Sequence, residues 1–179
     1  MSIVRRYRDT TAADGTRLFE YREAWCAPGS GEVVVHHGKV GQPGTVTEEK
    51  VADDAAGEEL LEAFAAQCAE DGFAELEDSA LTDLVVVYRL RGRTAMDIER
   101  RHGETLAGEI THQLAWRGLG EVADTVEAEG FLELRVRTPH PGRATREIPV
   151  AAKWAHGIQP NKIEVRTDQT ASADAGKDA

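Results

Sequence analysis

No stretch of this 179-residue chain approaches the roughly 18 consecutive apolar residues that a membrane-crossing helix requires. The opening residues, MSIVRRYRDTTAADG, lack the apolar centre and small-residue cleavage site of a secretory signal, so a cytoplasmic protein is expected. Cysteine is scarce. Cys26 and Cys68 are the only two, and they lie far apart with no CxxC spacing. That argues against a cysteine-built zinc site and predicts reduced thiols rather than a structural disulfide. There is no G-x-S-x-G, and the nearest serine to a glycine cluster, Ser30, sits in a turn, so no nucleophile arrangement is recognisable. These gaps predict no cofactor, no metal site and, as the leading reading, no enzyme.

Apolar residues make up 41% of the chain and charged residues 30%, as in ordinary globular proteins. The net charge of −11 is unevenly spread. Residues 1–77 carry 7 Lys and Arg against 16 Asp and Glu, whereas residues 84–167 carry 13 against 11. A charge step near residue 80 predicts two units, 1–80 and 81–167. The small polar residues of 168–179 predict a disordered tail.

In the first unit, residues 18–25 read as a strand with aromatic anchors, and the Pro-Gly-Ser-Gly cluster at 28–31 as a turn. Residues 31–37 return as a strand, 38–44 form a tight segment, and 45–51 are a third strand. Leu60, Leu61, Phe64 and Cys68 recur at helical spacing, predicting a helix over 56–70 with Glu58, Glu59 and Glu62 on its solvated face. Residues 73–76 can return to the sheet. In the second unit, 84–91 is a strong strand, followed by a helix over 95–116 that Gly103 and Gly108 are expected to bend or break. A hairpin joins 119–126 to 131–136, a short helix limited by Pro149 covers 143–155, and 162–166 is a last strand. The order β-α-β-β-α-β is that of ferredoxin-like domains, and the whole is α+β.

The stretch VVVHHGKVGQPGTVTEE, residues 33–49, places two of the six histidines at a turn rich in glycine. Adjacent strand residues point to opposite faces, so His36 and His37 cannot easily grip one metal ion. One half-buried and one exposed histidine is the simpler expectation. A phosphate loop would need a helix after the glycines, with Lys-Ser or Lys-Thr, but a strand follows instead. Cys68 reads as an inert core thiol, and Cys26, before a turn, as partly exposed.

Together these residues resemble the WGR domain, found in some poly(ADP-ribose) polymerases and in many small bacterial proteins. LFEYREAW supplies its aromatic strand, VVVHHGKVGQPGTVTEEKV its central element, and EELLEAFAAQCAEDGF its helix with the closing Gly72-Phe73. The resemblance spans roughly residues 3–77. It implies a WGR-like antiparallel sheet with one helix, and a contact site at the signature turn: His37, Gly38, Lys39, Gly41 and Gln42. His37 and Lys39 stand where the family has Trp and Arg, residues that in the polymerases touch DNA ends and neighbouring domains. A histidine offers less flat apolar area than an indole, and lysine meets a phosphate as a point charge rather than as a fork. The expected role is therefore a non-enzymatic interaction module with a protein partner or an interdomain contact.

Two alternatives come from the rest of the chain. Alternation on the second unit's strands puts Arg89, Arg91, Arg135 and Arg137 on one sheet face, a candidate nucleic-acid surface with only Phe131 available for stacking. The acidic first unit, opposite in charge, is a rival to cover that face. The other alternative is an enzyme or small-ligand binder at the junction of the units.

Overall fold

Ten N-terminal residues without apolar alternation form the first strand, β1, Ser2–Thr11. Its charges are matched across the sheet. Arg5 lies opposite Glu23 and Arg8 opposite Glu20 on β2, Arg17–Cys26. Arg5 Nη2 reaches Glu23 Oε1 at 2.7 Å, and Arg8 Nη2 reaches Glu20 Oε2 at 2.8 Å. Opposite charges facing each other across a strand pair stabilise it, and their benefit is invisible until both strands are known. The computed structural model describes residues 2–167, so the predicted disordered tail lies outside the described residues.

The chain divides into two units, the first running through Asp78 with Trp116–Gly118, the second comprising Ser79–Ala115 and the residues from Leu119 onward. The first unit is an antiparallel meander in the order β1-β2-β3-β4, with β3 at Glu32–Lys39 and β4 at Thr45–Lys50. Helix α1, Asp54–Glu70, packs on one face of it. Asp53 caps the helix by accepting the Ala56 N–H at 2.9 Å, which satisfies one of the donors a helix start leaves open. Gly72, at φ 80°, reverses the chain so that the Phe73 N–H returns to the Cys68 carbonyl at 2.8 Å. Ala24, Cys26, Val33 and Leu61 form the core beneath the helix, joined by Val4, Val35, Val51, Leu60 and Phe64. Cys26 is buried rather than partly exposed, because the backbone of Gly57 approaches its sulfur: a Cβ there would lie 2.6 Å from Sγ. Of the predicted strand at 73–76, only an isolated bridge between Tyr7 and Ala74 forms.

The second unit runs β5 (Thr82–Arg89), α2 (Asp97–Ala115), β6 (Glu121–Ala128), β7 (Phe131–Thr138), α3 (Pro141–Ala152) and β8 (Ile163–Thr167). Its sheet has the order β6-β7-β5-β8 with every neighbouring pair antiparallel. Leu84, Val86 and Tyr88 on β5 and Leu132, Leu134 and Val136 on β7 are buried, as are Leu106, Ile110 and Leu114 of α2. Helix α2 is continuous where a bend or break was expected at Gly103 and Gly108. At Gly103 the absence of a side chain is used for packing, since a Cβ would meet Leu132 Cδ1 at 2.6 Å. The two α+β units therefore each consist of a four-stranded antiparallel sheet with helical cover, and no helix among the described residues is long and apolar enough to cross a membrane.

Candidate functional site

The turn between β3 and β4 is fastened by three backbone hydrogen bonds. The Val40 N–H donates to the Phe19 carbonyl at 2.8 Å, the Gly41 N–H to the Arg117 carbonyl at 2.7 Å, and the Gln42 N–H to the Lys39 carbonyl at 2.9 Å. Gly41 sits at φ 84°, a left-handed conformation that a side chain would strain. Val40 is buried and anchors the loop, while His37, Lys39 and Gln42 project into solvent. The geometry thus separates the turn's residues into one anchor and three polar side chains held on a fixed backbone.

Below the turn lies a feature that the sequence does not single out. His36, not His37, is fully buried, at 1% exposure. Its ring stacks on Trp116, with centroids 4.6 Å apart and planes at 19°, and its Nε2 lies 3.0 Å from the Tyr21 hydroxyl. That hydroxyl also lies 3.3 Å from the Trp116 carbonyl. A carbonyl only accepts, so with both bonds made the tyrosine donates to Trp116 and the His36 Nε2–H donates to the tyrosine oxygen. On that basis Nε2 carries a proton, which in the neutral ring is the Nε2–H tautomer. Burial, then the neighbouring His37, pushes the His36 pKa below its ordinary value. Burial also raises the Tyr21 phenol, with the charge of Glu23 adding to the effect.

Glycine makes this packing feasible. A Cβ on Gly44 would sit 2.2 Å from the Tyr21 hydroxyl and 2.3 Å from His36 Nε2, so the loop backbone closes directly over the pair. Gly118 also closes on the tyrosine ring, where a Cβ would lie 2.3 Å from Cδ1. Tyr21, His36 and Trp116 are 15 and 80 residues apart along the chain, which is why no local pattern could have grouped them. Chemically the group is a closed polar contact that fixes the turn, with Trp116 presenting part of its indole at 38% exposure.

The arginines of the second unit are only partly brought together. Arg89, Arg135 and Arg137 share one sheet face, but β5 ends at Arg89, and Arg91 instead lines a cavity with Glu99 and His102. The face carries an alternating lattice of charge. Arg89 pairs with Glu164 at 3.0 Å, Arg166 with the same carboxylate at 2.9 Å, and Arg137 with Asp83 at 3.6 Å, while Asp124 is the register partner of Arg135. The guanidinium groups of Arg166 and Arg89 hold the Glu164 carboxyl well down, at about 2. Among the described residues, no three His, Cys, Asp or Glu side chains are grouped to hold a metal ion, and Cys26 and Cys68 are both buried free thiols. Burial pushes the Cys68 thiol up despite the Arg22 guanidinium beside it, so it lacks the thiolate character of a nucleophile. Comparison with protein-family models, with curated proteins and with solved structures finds no match for this chain.

Proposed function

We propose that the chain is a non-enzymatic interaction module, with a WGR-like first unit and a ferredoxin-like second unit, that meets a partner protein through the turn bearing His37, Gly38, Lys39, Gly41 and Gln42. What supports the WGR-like reading is the antiparallel meander closed by α1 and Gly72-Phe73. For the second unit, the support is the β-α-β-β-α-β order with its first strand between the third and fourth. The observation that carries the functional reading is the contrast within the turn. Its backbone is tied by three hydrogen bonds and underlain by the Tyr21–His36–Trp116 packing, while the imidazole of His37, the ammonium of Lys39 and the amide of Gln42 remain exposed. A rigid loop loses little conformational entropy when it binds, so its exposed groups convert contacts into affinity efficiently. Three donor-bearing side chains in one loop fit a partner surface rich in carboxylates and carbonyl oxygens.

Charge matching argues against the arginine face as a nucleic-acid surface, because each of Arg89 and Arg137 is already opposed by a carboxylate. The interaction reading is tested by affinity capture with the wild-type protein and with a His37→Ala/Lys39→Ala variant. Both substitutions are at exposed positions, so the amide spectrum is expected to be preserved outside the turn. A partner retained by the wild type and lost by the variant supports the site; an identical set of captured proteins removes it.

A further inference from the structure

The second unit contains a cavity of about 150 Å³ that the turn of the first unit does not involve. Four segments converge on it: the end of β5 with Tyr88, the following loop with Arg91, the start of α2, and the loop leading into β8 with Lys162. Its lining combines apolar and polar groups. Met96 and Ile98, 47% and 50% exposed, are its apolar lining. Arg91 and Lys162 are its cationic lining.

Glu99 explains the electrostatics. It is 3% exposed, and both its oxygens are taken: Oε1 accepts the Arg91 N–H at 2.8 Å and Oε2 the Met96 N–H at 3.1 Å. Burial alone would raise its carboxyl, but these backbone donors outweigh burial and, helped by Lys162 and Arg91, keep it ionised below the ordinary range. Each oxygen of the carboxylate thus accepts a backbone N–H, and its fixed negative charge holds part of the wall in place. Two cationic side chains, Arg91 and Lys162, face this single buried anion, and neither forms an ion pair with a carboxylate among the described residues. Lys162 Nζ lies 5.8 Å from the centre of the Tyr88 ring, and the Tyr88 hydroxyl lies 3.3 Å from His102 Nδ1. The cavity therefore carries a surplus positive charge together with hydroxyl and imidazole groups and the apolar side chains of Met96 and Ile98.

We infer that this cavity binds a small carboxylate carried on a single apolar ring or short branched chain. The carboxylate would meet Arg91 and Lys162, and the apolar body would lie against Met96 and Ile98. The size is appropriate, since a cavity of about 150 Å³ admits one benzene-sized group. A pocket of convergent polar groups beside an apolar wall is the usual form of a small-molecule site.

The test uses the full chain and three probes: benzoate, its neutral counterpart benzamide, and inorganic phosphate, read by amide shifts of residues 96–102 and 157–162. Benzoate is expected to bind with a dissociation constant below about 1 mM, and benzamide at least about tenfold more weakly. Arg91→Met and Lys162→Met, which keep side-chain bulk and remove charge, are each expected to weaken benzoate about tenfold or more while leaving the other shifts in place. No benzoate shift at about 10 mM overturns the site. Equal binding of benzamide overturns the anionic half of the inference, and phosphate binding as tightly as benzoate overturns the apolar half. Because benzoate and benzamide are compared on the wild-type protein, the result stands even if a variant fails to fold.

Discussion

Replacing His36 by Gln is expected to abolish a specific dependence of stability on pH. His36 is buried at 1% exposure, and its pKa in the folded protein lies below the ordinary 6.5. Between its folded and unfolded pKa values, the folded chain binds fewer protons at this site than the unfolded chain. Stability from His36 is therefore fully present above about pH 6.5 and is lost as pH falls toward the folded value. The slope cannot exceed about 1.4 kcal/mol per pH unit, and with protonation strongly suppressed the total loss between pH 7.5 and 5.5 reaches at most about 1.4 kcal/mol. Carboxylates with lowered pKa, including Asp71 beside Arg22 and Glu99 on its backbone donors, act below their ordinary 3.8 and 4.5 and so stay outside this window. The assay is urea denaturation at the two pH values, followed through amide resonances of β2 and β3 so that the first unit is read by itself. Wild type minus His36→Gln is expected to shrink as pH falls, by up to about 1.4 kcal/mol. A difference that stays constant, or grows toward pH 5.5, would refute the burial and neutrality assigned to this ring.

Two glycine substitutions separate packing from propensity along α2. Gly108 has open space where a Cβ would go, so Gly108→Ala is expected to stabilise the second unit by about 0.5–1 kcal/mol in urea denaturation. Gly103→Ala gains the same propensity but drives a Cβ to 2.6 Å from Leu132 Cδ1, and is expected to fall at or below wild type. Gly44→Ala, with no flexible neighbour to give way around Tyr21 and His36, is expected to cost about 3 kcal/mol and to shift the His36 ring resonances.

What could be read from the sequence, and what could not, follows the range of the interactions. The strands with aromatic or aliphatic runs, β2, β3, β5 and β7, were legible from alternation and turn residues, as was α1 from its apolar spacing. The inward set Leu132, Leu134 and Val136 and the outward Arg135 and Arg137 are placed as alternation predicts. β1 was not legible, because RRYRD carries its fitness for a strand in the glutamates of its neighbour. The expected interruption of α2 fails because a glycine's local cost of about 1 kcal/mol is outweighed by tertiary packing onto Leu132. At the turn, the glycines and the division of the two histidines between faces were readable. Which histidine becomes structural was not, since that depends on Trp116, 80 residues away. Arg91 departs from the strand alternation because β5 stops two residues earlier, where the chain turns toward Glu99.

Site-specific photo-crosslinking tests the proposed function most directly. A photoreactive residue is placed at Gln42 in the fastened turn and, in a second protein, at Ala13 in the exposed turn between β1 and β2. The interaction module predicts a discrete partner adduct from position 42 that disappears with His37→Ala/Lys39→Ala and is absent from position 13. Adducts of equal yield from both positions, or none from position 42 under conditions where position 13 reacts, would contradict it.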